Sequence, residues 1–180
     1  MKRLMAACVV ALLAVTAAVA GKTNTDYDKA VDFTKYKTYA WHKATTGSDL
    51  WDQRLITEVD AALTAKGWKK ITSVEEADAA IVGSINLTQE TSYNTMYTGM
   101  GGWGYYGWGM GVSSAHTTAT TWRIGTLLVD IFDAKTKKLL WRASSEETVS
   151  EKSSKNEKKL HNAVGRVFKD FPPEPPKQKK

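Results

Sequence analysis

Between Phe33 and Trp41 the chain reads FTKYKTYAW, with aromatic residues at every second or third position and threonine and lysine between them. That alternation belongs to a strand with one buried face, and it predicts a strand over Lys37 to His42. A polar run then reaches Ser48 and Asp49, an N-cap candidate. Trp51, Leu55, Val59, Ala62 and Leu63 follow at helical spacing until Lys66-Gly67 ends the segment. Trp68 to Ile71 reads as a short strand. Glu75-Glu76-Ala77-Asp78 turns the chain into Ala79 to Thr88, a strand whose odd positions are the more apolar. Thr126 to Asp133 is β-branched and apolar on both faces, as a central strand requires, and Ala134 to Lys138 is a polar turn from which Leu139 to Val149 returns as the antiparallel partner. Leu160, Ala163, Val164, Val167, Phe168 and Phe171 recur at helical spacing on an otherwise charged segment. One face of that helix docks on the sheet, and Pro172-Pro173 stops it.

About 40 residues without a helical pattern separate Leu87 from Leu127, long for an unstructured loop in a compact domain. Their flanks, Thr91 to Tyr97 and Ser113 to Trp122, are rich in threonine and tyrosine and read as outward extensions of the two adjacent strands. Residues 98 to 112 then form the tip of a long β-hairpin. The expected fold is α+β: a single antiparallel sheet with two helices packed on one face and a long protruding β-hairpin.

Lys2 and Arg3 precede an apolar run from Leu4 to Ala17, and Ala18-Val19-Ala20 places small residues where signal peptidase reads them. Residues 1–20 are therefore expected to be a signal peptide, the run being short of the about 20 apolar residues a bilayer span needs. Met5-Ala6-Ala7-Cys8 resembles a lipobox. A lipobox closes the apolar region, however, and here the longer apolar stretch follows Cys8, so an ordinary signal cysteine is the first reading and lipidation the alternative. Cleavage after Ala20 leaves a chain without cysteine, which excludes disulfides, thiolate chemistry and cysteine metal sites. The expected organisation is one domain over residues 21–171 and a Pro/Lys-rich tail over 172–180.

Charge narrows the partners. Of the formal net +6, two units leave with Lys2 and Arg3 and a net two lie in the last ten residues, so residues 21–170 carry +2. No basic stripe runs through the fold, and nucleic acid is not an expected partner.

Catalytic patterns are missing as well. His42, His116 and His161 have no further histidine or carboxylate at a ligand spacing and read as surface residues, so no metal site is expected. Asp130 and Asp133 lack the other oxygen positions of a calcium loop; Asp133 is expected to bond turn backbone, and Asp130 to face solvent or to pair with a cation such as Arg142. Gly83-Ser84 sits within a strand without the second glycine of a nucleophile elbow, and no glycine run opens a phosphate-binding helix. Neither a catalytic residue nor a cofactor is expected.

Taken together, Asp26-Tyr27-Asp28, FTKYKTYAW, Ala62-Leu63 with Lys66-Gly67-Trp68, Ala77-Asp78, Leu128-Val-Asp-Ile-Phe-Asp133 with Lys135-Thr136, Leu139-Leu-Trp141 and Phe171-Pro-Pro173 resemble the bacterial envelope family called domain of unknown function 4136. The resemblance runs over nearly all of residues 21–180 and implies a cell-envelope domain, often a lipoprotein, with no established catalytic activity and no catalytic residues to carry over. The chain departs from the pattern in lacking a well-placed lipobox and in carrying Gly99 to Gly111, GMGGWGYYGWGMG.

Trp103, Tyr105, Tyr106 and Trp108 of that segment form the candidate contact surface, for a membrane interface, a glycan or a protein of the envelope. The competing readings are a lid folded over a sheet edge and a low-complexity connector. Burying about 100 Å² on each of four rings yields about 10 kcal/mol at 25 cal/mol per Å². Ordering 13 glycine-rich residues costs at least as much, at about 1 kcal/mol each, so tight contact requires a tip already held by its strands. The expected function is a non-catalytic binding or scaffolding domain of the periplasm or outer membrane; the alternative is an envelope hydrolase acting on a glycan or peptide, which calls for paired carboxylates in a concave pocket.

Overall fold

The structure is a computed structural model and describes residues 21–98 and 114–174. Six strands and two helices follow in the order β1 (Thr23–Tyr27), β2 (Thr38–Thr45), α1 (Asp49–Ala65), β3 (Lys69–Lys70), β4 (Ala79–Thr98), β5 (Ser114–Asp133), β6 (Leu139–Thr148) and α2 (Ser153–Val167), with a 3-10 turn at Phe33–Lys35. The strands form one sheet in the spatial order β1-β6-β5-β4-β2-β3.

The expectation of a purely antiparallel sheet is corrected: β2 pairs in parallel with both β3 and β4, while β4–β5, β5–β6 and β6–β1 are antiparallel. The reason is α1. A helix between β2 and β3 returns the chain to the end from which β2 started, so β3 runs the same way. Periodicity marks which face of a strand is buried and carries no information on strand direction.

Both helices cover one face of the sheet. Leu55, Val59 and Leu63 of α1 and Leu160, Ala163, Val164 and Val167 of α2 enter a single core with Tyr39, Ile81, Leu127, Val129, Ile131, Trp141 and Ala143. Phe171, past the end of α2, is buried against Phe33, Trp68, Trp141 and Phe168, with ring centroids 5.1 to 5.9 Å apart. On the opposite face a smaller cluster, Ala40, Ala77, Ala80 and Ala134, sits under Ile71, Val74 and Phe132.

Local chemistry sets the boundaries. Helix α1 begins after Ser48, but the Ser48 side chain makes no cap bond; the Thr46 N–H instead donates to Oδ1 of Asp52 at 2.7 Å, in the helix's first turn. At its other end Gly67, at φ +83°, allows the Gly67 and Trp68 N–H groups to donate back to the Thr64 and Leu63 carbonyls at 2.9 and 3.0 Å. Asp60 of α1 accepts from the Tyr39 hydroxyl and the Trp41 indole at 2.9 and 2.8 Å, fastening the helix to β2. Asp133 accepts from the Lys135 and Thr136 N–H groups, the turn role expected of it, and also from the Tyr36 hydroxyl at 2.8 Å.

Candidate functional site

Strands β4 and β5 outrun the rest of the sheet. Their antiparallel pairing continues without a register shift from Ala79↔Asp133 to Thr98↔Ser114, whereas β2 leaves β4 at Thr45↔Ser84 and β6 leaves β5 at Ile124↔Thr148. Beyond those points the two strands are a ribbon. Residues 88–96 of β4 and 116–121 of β5 are exposed on both faces. Among the described residues, neither core cluster contains one between 86 and 126.

What holds the ribbon is its own ladder. The Val149 N–H donates to the Arg123 carbonyl at 2.7 Å, so the backbone groups of Arg123 face β6. N–H and C=O of one residue point the same way in an antiparallel ladder, and the direction alternates along the strand. Trp122, Thr120, Thr118 and His116 therefore bond to β4, while Thr121, Ala119 and Thr117 turn theirs away from it. By the register, Leu87, Gln89, Thr91, Tyr93 and Thr95 of β4 likewise turn away from β5. Pairs without mutual backbone bonds bring their side chains closest, and there the hydroxyls of Thr91 and Thr121, and of Thr95 and Thr117, lie 3.0 Å apart.

At the ribbon's base, on the helix side, lies a pocket of about 170 Å³ bounded by Trp51 of α1, Ile85 and Leu87 of β4, Leu127 of β5, Val149, and Leu160 and Ala163 of α2. Leu87 on its rim is 59 % exposed. Gly125 keeps it open, because a Cβ there would stand 3.3 Å from Val149 Cγ2 and 3.6 Å from Leu87 Cδ2. A cavity of about 150 Å³ lined by apolar side chains accepts one benzene ring, so this pocket suits a single ring or a short alkyl group. The polar groups around it are engaged: Glu147 accepts from Arg166, Asn156 bonds both backbone groups of Ser150, and the Lys159 ammonium donates to the Thr148 carbonyl at 2.5 Å. Glu147 is the one carboxylate in the lining, and it is paired.

The residues singled out in the sequence fall as follows. Trp103, Tyr105, Tyr106 and Trp108 lie outside the described residues, as do the hairpin's tip and residues 1–20. His42 is exposed on β2, His116 stands opposite Met96 on the ribbon, and His161 meets Glu58 between the helices at 2.8 Å. Among the described residues no three His, Cys, Asp or Glu side chains gather as a metal site, and no helix is long and apolar enough to cross a membrane. Asp130 takes the second of its expected places: buried, it receives Nε and Nη2 of Arg142 at 2.6 Å each.

A family model described as a domain of unknown function, DUF4136, matches residues 23–173. The chain belongs to this family. No match is found among curated proteins. Solved structures share the fold, among them the following three. A DUF4136 family protein from Bacteroides thetaiotaomicron is 17% identical with a TM-score of 0.52, covering 88% of this chain and 99% of its own. A PDZ domain protein from Parabacteroides distasonis is 14% identical with a TM-score of 0.58 over 86% of this chain, which spans only 36% of that protein's length. A PelC dodecamer from Paraburkholderia phytofirmans is 13% identical with a TM-score of 0.50, covering 82% of this chain and 94% of its own. At such identities the likeness shows the fold alone.

Within this DUF4136 domain the pocket is the feature that sequence patterns passed over. Trp51, Leu160 and Ala163 carry the helical stripes, and Ile85 and Leu87 continue the odd-numbered apolar positions of β4 past the end of the helix cover. That overrun was the available signal.

Proposed function

We propose that this DUF4136 domain is a non-catalytic binding or scaffolding unit of the bacterial cell envelope, exported through a leader at residues 1–20 and folded over 21–171, with 172–180 as a solvated tail. Its contact surface is carried on the ribbon and the residues beyond it, Trp103, Tyr105, Tyr106 and Trp108, and the partner is an envelope protein, glycan or membrane interface. The single observation that carries this reading is the division of labour in the packing: among the described residues the body's cores take nothing from 87–96 or 116–125, while both strands stay paired throughout their described length. A ribbon that the core does not need is available for contact. The hydrolase alternative finds one carboxylate in the pocket, already held by Arg166, where it requires two. A dodecameric relative of the fold is in keeping with a scaffolding role.

Replacing Trp103, Tyr105, Tyr106 and Trp108 together with serine is expected to abolish association with isolated envelope fractions and leave the thermal unfolding transition in place. Undiminished association would remove these four rings from the account. Mass spectrometry of the mature N-terminus decides the export route, with an unmodified Gly21 expected and a lipidated Cys8 as the competing result.

A further inference from the structure

A sheet edge presents unpaired N–H and C=O groups that another strand can take up, and natural edges are blunted by shortness, lysine, proline or a bulge. The two outer edges of this sheet follow that rule. Strand β3 is two residues long and both are lysine; β1 is five residues long and carries Asp26. The two edges of the ribbon do not, and of these β4 offers the longer run, five outward-facing residues from Leu87 to Thr95 against Thr117, Ala119 and Thr121 on β5. Past Ser84, where β2 ends, no strand among the described residues covers the β4 edge. Residues 85–98 contain no proline, no lysine and a single charge, Glu90, and the register shows no bulge. Five outward-facing residues, Leu87, Gln89, Thr91, Tyr93 and Thr95, hold their donors and acceptors to solvent along this edge.

We propose that the β4 edge from Leu87 to Thr95 is a strand-pairing surface for the same edge of a second copy of this chain, the two ribbons running in opposite directions as one four-stranded antiparallel sheet. Width decides the direction. Six strands at about 4.8 Å make a body about 29 Å across, whereas a ribbon of two strands is about 10 Å across. Copies whose ribbons pointed the same way would drive their bodies into each other. Opposed ribbons carry the bodies to opposite ends, and the contact becomes a two-fold one in which a surface meets itself. An axis at Thr91 sets Gln89 opposite Tyr93 and Leu87 opposite Thr95. Glu90 then faces Ser92, so no like charges are opposed, and all five outward residues find outward partners. Pairing stops near residue 96, because the partner's next residues meet the end of β2 at Thr45.

The size of the contact sets its strength. An edge about 33 Å long and about 10 Å high buries about 300 Å² on each copy, below the about 800 Å² per partner of a standing complex. Association is therefore weak and depends on concentration.

The test is sedimentation of the protein, purified after expression with its own leader, from about 1 to about 300 μM. A monomer–dimer transition in that range is expected. Thr91→Pro with Tyr93→Pro removes two outward N–H groups and leaves the β4–β5 ladder its bonds. That variant is expected to remain monomeric at every concentration, while Ala119→Pro with Thr121→Pro, on the free edge of β5, dimerises like the parent. Hydrogen exchange on the unsubstituted protein gives an answer that does not depend on how the proline variants fold: amides of Gln89, Thr91 and Tyr93 slow as concentration rises, and those of Thr117, Ala119 and Thr121 do not. A parent monomeric throughout, a dimer that survives the β4 prolines, or concentration-dependent protection on β5 alone would each overturn the proposal.

Discussion

Asp130 and Arg142 stand directly opposite each other on β5 and β6, and the guanidinium grips both carboxylate oxygens at 2.6 Å on the face of the sheet away from the helices. The pair is lopsided. The Asp130 side chain is 6% exposed and that of Arg142 50%, so the carboxylate depends on its partner far more than the guanidinium does.

This asymmetry predicts which half of the pair is costlier to remove. Arg142→Ala strands a buried carboxylate and is expected to destabilise the fold by about 2–3 kcal/mol, the cost of leaving a charged group without its bonds. Asp130→Asn leaves an arginine that can turn to water, and about 1 kcal/mol is expected. Urea unfolding of the two variants checks the order; equal costs would mean that the arginine is held as tightly as the aspartate.

Acid dependence follows from two other aspartates. The Thr136 N–H, with help from Tyr36 and Lys135 and against some burial, holds the Asp133 carboxyl below the usual carboxylate range. Burial pushes Asp78 up, but the Lys37 and Thr38 N–H groups and the Thr38 hydroxyl outweigh it and the net direction is also down. A carboxyl lowered in the folded state contributes stability that is present above its unfolded value near 4 and is lost as pH falls through the folded value. The melting temperature is expected to hold between about pH 7 and 5 and to drop below about 4. In Asp133→Asn it starts lower at neutral pH and drops less, as circular dichroism melts across that range would record.

Gly83 lies on β4 directly beneath α1. A Cβ there would stand 3.1 Å from Leu55 Cδ2 and 3.1 Å from the Trp41 ring. Both neighbours are packed, the first fully buried. Gly83→Ala is therefore expected to cost about 1–3 kcal/mol through overpacking, while Gly125→Ala, against one methyl of Val149 at 3.3 Å beside an open pocket, costs less than about 1. Denaturant midpoints of the two variants compare them directly.

How far the sequence disclosed this arrangement depends on how local each signal is. Leu55, Val59 and Leu63, and Leu160, Ala163 and Val167, recur within single segments, so both helices and their buried faces were legible. Asp130 in an apolar strand left two places open, solvent or a cation such as Arg142 across a readable turn, and the structure takes the second. Strand β1 was missed because TNTDY alternates nothing: it is an edge strand exposed along nearly its whole length, and its place comes from pairing with β6. The parallel pairing of β2 was missed because direction leaves no periodic trace. The pocket gathers Trp51, Ile85, Leu127, Val149 and Leu160 from five separate stretches of chain, so no window of sequence contains it. Ser48 stands at the start of α1 as expected but its side chain makes no cap bond, and Asp52 instead ties the preceding Thr46 N–H to the first turn.

The central claim is that the body folds without the ribbon and the ribbon makes the outside contact. Its most direct test replaces residues 91–121 with Asn-Gly, a two-residue turn that closes the hydrogen-bonded Glu90↔Trp122 pair, and measures co-sedimentation with isolated envelope fractions alongside the thermal melt. The account predicts a shortened protein that melts within a few degrees of the parent and no longer sediments with the envelope. A shortened protein that is unfolded, or that is folded and still sediments as the parent does, would contradict it.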